Sequence, residues 1–417
     1  VSSYSGASSK RWIVAQLGAR EHYLAARALH GLGALDCLLT DVWEPGGRRG
    51  GPFGTVLGLR AARPNWHPKL ADADVRAWGL AGAAHRLAVG ALARREGWLH
   101  RWYETQGTAF ARWTARQLET RDPSRAVFLG FSSTCLEALT RAKARGMPCI
   151  VDQIDPGSVE RDLIAEERSR WQGWEVHGGP PNGRLLARYD ERVRREWEAA
   201  DRIVVNSEWS RAAVLGQGAD ARKLVVVPLA YELDVATGSA AASPRRRMPR
   251  LQVLWLGSVI LRKGFPYLVE AARQLAAEPI DFVIAGPHRL SSEVVASLPP
   301  NVRLLGKVSS SVSERLYREA DVFVLPTISD GFAITQLEAM AHGLPVVTTT
   351  HCGDVVREGV DGYLVPARDG GALAARLSAL AHDAELLERL SAAASRRAGD
   401  FSVATYAQRL TSLVASL

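Results

Sequence analysis

With 417 residues, 47% of them hydrophobic and 23% charged, the chain is neither disordered nor fibrous, and it is too long for one compact core, so two domains are expected. No stretch approaches the roughly 20 apolar residues that span a bilayer, and four widely spaced cysteines, Cys37, Cys135, Cys149 and Cys352, suggest neither a disulfide framework nor a zinc site. The surplus of 52 basic over 44 acidic residues is too modest for a protein that lives on nucleic-acid phosphates. The first residues lack an apolar signal segment, and a cytoplasmic location is the expectation.

In chain order, residues 12–16 read as a buried strand, Gly18 as a turn, 21–30 as a helix and 35–39 as the next strand, one βαβ unit of about 30 residues. A Gly-rich segment from Gly46 to Gly58 reads as a loop. Five tryptophans from Trp66 to Trp113 then stand among Arg94, Arg95, Arg101 and Arg112. That pattern fits a helical face with buried Trp and solvated Arg, or a basic aromatic surface in peripheral contact with an anionic membrane. Residues 1–235 carry 33 basic and 27 acidic side chains (net +6), against 19 and 17 (net +2) in 236–417.

Further strands are expected at 127–129, 149–151, 203–205 and 224–227, with a polar, mobile stretch at 171–183. Residues 237–249, rich in small residues and closed by prolines and arginines, read as a linker. Beyond it, strands at 251–256, 280–285, 302–305, 322–325 and 346–349 alternate with helical patterns at 266–277, 291–298, 312–320 and 334–341. Parallel strands need such crossovers, so the fold class is α/β, with two Rossmann-like domains facing each other across a cleft. The expected division is 1–236, the linker 237–249, a second domain 250–397, and a terminal helix 398–417 that crosses back to the first domain.

Two loops carry the chemistry. After the strand ending at Leu325, a loop holds Asp330 and Gly331, and a helix is expected to start near Ala333 with Glu338 inside it. The first turn of a helix offers unpaired N–H groups, and both carboxylates are placed to accept hydrogen bonds from the hydroxyls of one ligand. After residues 251–256 comes Gly257-Ser-Val-Ile-Leu-Arg-Lys-Gly264, where Arg262 and Lys263 can neutralise a diphosphate. Cations for phosphates and carboxylates for hydroxyls describe a nucleotide-activated sugar.

These residues carry a resemblance to the retaining glycosyltransferases of family 4, which have the GT-B fold. Asp330, seven residues, Glu338, then Ala-Met, Gly343 and Pro345-Val-Val347 look like the family's motif, supported by Lys263-Gly264, by 320–326 and by 359–366. The resemblance is strong over 250–395 and looser over 10–40 and 198–234. It implies that Glu338 holds ribose hydroxyls, that Asp330 binds the donor sugar, and that Lys263 and Arg262 stabilise the leaving diphosphate. It also implies that Phe332, Ala333, Ile334 and Thr335 present N–H groups beside Gly331. Gly257, Ser258 and Gly18 would approach the donor, and Gly306 and Val308 would line the base.

The implied reaction moves a sugar from a nucleotide diphosphate, UDP or GDP, to an acceptor hydroxyl with retention, without a metal or other cofactor. The acceptor, a small molecule, glycan or lipid-linked sugar, would bind the first domain. Asp330 stands where Glu is usual, Ser258 where Arg is common, and residues 130–133 lack the family's acceptor-side His. His22, Asp152 and Asp155 follow strand ends and are the candidates to replace it. The missing His also motivates a second reading, a catalytically silent sugar-nucleotide-binding sensor or partner subunit.

Overall fold

The computed structural model describes residues 10–44, 65–92, 96–176, 183–232 and 249–415. The Gly-rich loop and all of the expected linker but Pro249 lie outside them. The first sheet takes strands β1 (Arg11–Gln16), β2 (Leu35–Thr40), β3 (Val75–Ala77), β4 (Ala126–Phe131), β5 (Cys149–Gln153), β6 (Arg202–Val205) and β7 (Leu224–Val226). Their order is β3-β2-β1-β4-β5-β6-β7, with every pairing parallel. Helices α1 (Leu24–Gly31), α2 (Leu80–Leu92), α3 (Glu96–Leu118), α4 (Leu136–Ala144), α5 (Ser158–Arg170), α6 (Gly183–Ala199) and α7 (Glu208–Gly216) connect them.

The second sheet repeats the arrangement with β8 (Leu251–Leu256), β9 (Ile280–Ala285), β10 (Val302–Gly306), β11 (Val322–Leu325), β12 (Val346–Thr348) and β13 (Gly362–Leu364), ordered β10-β9-β8-β11-β12-β13 and again parallel. Its helices are α8 (Phe265–Gln274), α9 (Ser292–Ala296), α10 (Ser310–Glu319), α11 (Thr335–Ala341), α12 (Gly370–His382) and α13 (Ala384–Ala398). In each sheet the order reverses beside the first strand, between β1 and β4 and between β8 and β11. Doubly wound sheets bind ligands at such switch points, outside the carboxyl ends of the strands.

Alternation along the strands makes the cores. Trp12 and Val14 of β1 join one cluster with Tyr23 and Leu29, while Ile13 and Ala15 face the other side with Phe128 and Trp197. A third cluster unites both faces of the second sheet around Trp255, Phe265, Phe282 and Phe323. The last helix, α14 (Val403–Ala415), sends Tyr406, Leu410 and Leu413 into the first sheet's cluster. Trp78 and Trp113 pack on Phe110 at 5.8 and 5.6 Å between ring centroids, and Arg112 is exposed. The side chains of Trp98 and Trp102 lie outside the described residues.

Four local expectations need correction. The helix expected over 21–30 is regular only from Leu24, because Glu21, His22 and Tyr23 hold positive φ of 42°, 52° and 60°. The helix expected from Ala333 begins at Thr335, since Ala333 is also left-handed, at φ 56°. Residues 171–176 are docked: the Trp171 indole donates to the Tyr267 hydroxyl at 3.1 Å, and the Val176 N–H to the Arg289 carbonyl at 2.7 Å. β3 and β13 were not anticipated: each is three residues long, and Arg76 in the one and Gly362 in the other leave no apolar run like that of β7.

Candidate active site between the two sheets

The site is built where β8 and β11 end. Arg262 and Lys263 sit on a short turn, Leu261–Lys263, directly after the segment that leaves β8. Gly264 closes this turn at φ 77°, and a Cβ there would lie 1.8 Å from the Pro326 carbonyl oxygen, so only glycine lets this turn press on the end of β11. The Ile328 N–H donates to the Arg262 carbonyl at 2.9 Å. These contacts bring the Lys263 ammonium to 2.7 Å from Asp330 Oδ2 and Arg262 Nη1 to 3.6 Å from the same oxygen. The sequence placed all three residues at one site, and the structure brings them together.

The electrostatics follow from that cluster. Burial pushes the Asp330 carboxyl upward, but Lys263 and Arg262 outweigh it and hold the group below its ordinary value. Burial disfavours the Arg262 charge, and Asp330 and Glu160 more than restore it. Arg262 Nη1 also donates to the Ser329 carbonyl at 2.7 Å. A Cβ on Gly257 would stand 4.0 Å from Lys263 Nζ, so Gly257 leaves room beside the ammonium. Ser258 is half-buried next to it.

Glu338 has a different partner. Its Oε2 accepts from the Tyr317 hydroxyl at 2.7 Å, and Tyr317 stacks on His342 at 4.9 Å. Burial, then the Glu338 charge, raises the Tyr317 hydroxyl well above its ordinary value, so Tyr317 remains a donor. Asp330 and Glu338 therefore belong to two hydrogen-bonded groups, not to one paired carboxylate. Asp330 is no helix cap either: α11 is capped by Ile334 with no side-chain bond.

Between the carboxylates run Gly331, Phe332, Ala333, Ile334 and Thr335. Among the described residues, no acceptor takes the N–H groups of Phe332–335, and the buried Thr335 hydroxyl has no partner. Phe332 itself is buried against Phe401. Gly306 ends β10 at φ 67° and accepts from the Gly286 N–H, while Val308 leans on the second core.

The first domain supplies the opposing wall. Ser207 donates to the Gly331 carbonyl at 2.6 Å, and the Trp209 indole to Ser329 Oγ at 3.1 Å. Trp209 also stacks on His351 at 3.9 Å and 12°. Gly331 is a second close approach: a Cβ there would lie 2.9 Å from Asn206 Nδ2 and 3.1 Å from the Ile154 carbonyl oxygen. From α5, Glu160 accepts from Ser329 Oγ at 3.0 Å and reaches Arg262 at 3.4 Å. Sequence reasoning assigned no role to Glu160, Ser207 or Trp209, because their partners are more than 100 residues away. The Asn-Ser-Glu at 206–208 was the available signal.

At the carboxyl ends of β1 and β4 a cavity of about 390 Å³ is lined by Gln16, Gly18, Arg20, Asp41, His85 and Ser132, among others. Gly18 donates its N–H to Asp41 at 3.1 Å, which ties it to the first sheet. Asp152, 7% exposed, lines an adjoining small cavity with Gln16, Arg20 and Tyr406; burial, then the Glu21 charge, pushes its carboxyl up to about 7. Asp155 accepts from the Gly157 N–H at 2.9 Å and from Gln153, so it braces its own turn. His22 is exposed and lines neither of these cavities, while Arg20 and Glu21 line the smaller one. A larger cavity of about 760 Å³, lined by Gln252, Asp281 and Asp321, lies at the amino ends of the second sheet, away from these groups.

Comparison with known proteins places this geometry. Residues 250–383 match the family model described as glycosyl transferases group 1. The chain is similar to the D-inositol 3-phosphate glycosyltransferase of Geodermatophilus obscurus, 34% identical over 57% of this chain and 56% of that one. It is also similar to the putative colanic acid biosynthesis glycosyltransferase WcaL of Salmonella typhimurium, 28% identical over 56% and 61%. The chain thus spans little more than half the length of these curated relatives. Among solved structures, Anabaena Alr3699/HepE in complex with UDP and glucose superposes with a TM-score of 0.61 at 15% identity, over 98% of this chain and 100% of that one. No helix among the described residues is long and apolar enough to cross a membrane. Over residues 250–383 the chain is thus similar to the group 1 glycosyl transferases, and its two facing parallel sheets make the GT-B fold.

Proposed function

We propose that the protein is a family 4 glycosyltransferase that moves a sugar from a nucleotide diphosphate to an acceptor hydroxyl with retention of configuration. The observation that carries this reading is the meeting of Lys263, Arg262 and Asp330 at the β8–β11 switch point. As the glycosidic bond breaks, negative charge grows on the diphosphate. Lys263 and Arg262 stabilise that charge from a largely buried position, where a fixed cation counts for more than in water. They supply it without a metal ion. The N–H groups of Phe332–335 and the Thr335 hydroxyl add donors toward the same ligand, and Asp330 accepts from sugar hydroxyls. Glu338, steadied by Tyr317, accepts from the ribose.

Gly306 and Val308 lie at the carboxyl end of β10, on the side where the base would rest. UDP is the first donor to try, because a structure of the same fold holds UDP and glucose. The acceptor belongs to the adjoining cavities of the first domain, where Gly18 lines the larger one and Asp152, in the smaller one, is the candidate to hold the acceptor by a hydrogen bond. No side-chain nucleophile is required: positioning the acceptor oxygen on the face the diphosphate leaves is enough, with the departing phosphate taking the proton.

The test is transfer from UDP- and GDP-sugars to a panel of glycosides and polyols, with the anomer of the product read by NMR. Acceptor-dependent nucleotide release that vanishes in Lys263→Met, with a product of unchanged anomeric configuration, supports the proposal. An inverted product refutes retention. Tight nucleotide binding with no turnover on any acceptor would favour the sensor reading.

A further inference from the structure

Arg262 is a mostly buried cation, and one of its two carboxylate neighbours, Asp330 at 3.6 Å, already pairs with Lys263 at 2.7 Å. A guanidinium taken out of water needs a full negative charge beside it. Glu160 brings one from the first domain, reaching Arg262 at 3.4 Å while accepting from Ser329 at 3.0 Å. Its place is enforced. Seven residues further along α5, Glu167 is fully buried and accepts from Arg368 Nε at 2.6 Å and from the Tyr267 hydroxyl at 2.8 Å, while Glu166 pairs with Arg368 at 2.7 Å. Residues seven apart share one helix face, so these bonds to the second domain hold the whole face of α5 against the turn that bears Arg262.

We infer that Glu160 is a positioning residue that competes with the donor's diphosphate for Arg262 and so sets donor affinity. This rests on the donor reading above. A diphosphate and the Glu160 carboxylate satisfy the same guanidinium, and both cannot do so at close range without like-charge repulsion. Arg262 Nη1 lies 2.7 Å from the Ser329 carbonyl but 3.4 Å from Glu160 and 3.6 Å from Asp330; Asp330 is fixed by Lys263 at 2.7 Å, which makes Glu160 the carboxylate to yield. Burial, opposed by Arg262, raises the Glu160 carboxyl above its ordinary value, in keeping with a charge that is held in place at a cost.

The experiment is isothermal titration of UDP, and in parallel GDP, into the full chain as wild type, Glu160→Gln, Arg262→Gln and the double variant. Removing the competing charge is expected to tighten nucleotide binding at least fivefold. In the Arg262→Gln background the same change should shift affinity less than twofold, because the competition has lost its object. A merely structural Glu160 would instead weaken binding in both backgrounds. Should Glu160→Gln fail to fold, Glu160→Asp retracts the carboxylate by one methylene and is expected to tighten binding at least twofold. Unchanged or weaker binding in the folded variant overturns the competition and leaves the donor reading standing. If wild type binds neither UDP nor GDP, the donor reading fails and this inference fails with it.

Discussion

Replacing Lys263 with Met removes the closest counter-charge of Asp330. At 2.7 Å and an effective dielectric near 20, the gross attraction is ~6 kcal/mol, and that of Arg262 at 3.6 Å is ~5 kcal/mol. Breaking one partner from a buried pair typically costs ~3–5 kcal/mol net. Arg262 stays, so the lower end applies and the expected loss at pH 7 is ~3 kcal/mol. The loss should depend on pH. A carboxylate whose folded pKa is lowered stabilises the fold above its unfolded value and ceases to do so as pH falls through the folded one. Without Lys263, burial becomes the larger influence on Asp330, its pKa rises, and the group takes up a proton in the folded state. The cost of Lys263→Met should therefore be smaller near pH 4 than at pH 7. Urea unfolding at the two pH values, followed by tryptophan fluorescence, measures it. A loss below ~1 kcal/mol at pH 7, or one equal at both pH values, would refute the buried ion pair as the organiser of this loop.

Glu338→Ala removes an acceptor for two hydroxyls, and charged hydrogen bonds contribute ~1.5–3 kcal/mol; UDP binding by titration should weaken about 10- to 100-fold, and an unchanged affinity would remove Glu338 from the donor site. Gly331→Ala places a methyl 2.9 Å from Asn206 and 3.1 Å from the Ile154 carbonyl; overpacking costs ~1–3 kcal/mol, charged against the contact between domains, so small-angle scattering should show a larger radius of gyration. Asp152, raised to about 7 by burial and then Glu21, favours folding below its unfolded pKa and loses that contribution as pH rises through the folded value. Asp152→Asn should thus stabilise the protein by up to ~4 kcal/mol at pH 8.5 and hardly at all at pH 4, by chemical unfolding; equal effects would disprove the shift. The basic, Trp-rich segment from Trp66 to Trp113 predicts weak cosedimentation with anionic vesicles that salt abolishes, and equal recovery with neutral and anionic lipid would count against it.

The alternation of short apolar runs with helical patterns was enough to read both sheets, because buried parallel strands must be apolar on both faces and must be joined by crossovers. Lys263, Arg262 and Asp330 were legible too, since each lies in the loop that follows a strand and strand ends converge at a switch point. The three-residue strands β3 and β13 were not, and neither was the left-handed run Glu21-His-Tyr23, whose conformation no side-chain pattern announces.

What the amino-acid order determined by itself was therefore local: which segments are strands, where their carboxyl ends fall, and which cations and carboxylates follow them. Only the tertiary structure decided how those groups divide. It gave Asp330 to Lys263, Glu338 to Tyr317, and Arg262 in part to Glu160, 102 residues away. The reason is physical. A buried charge takes whichever opposite charge the packing of two domains brings within about 4 Å, and that distance is set by α5 and its bonds to Tyr267 and Arg368, not by any spacing along the chain.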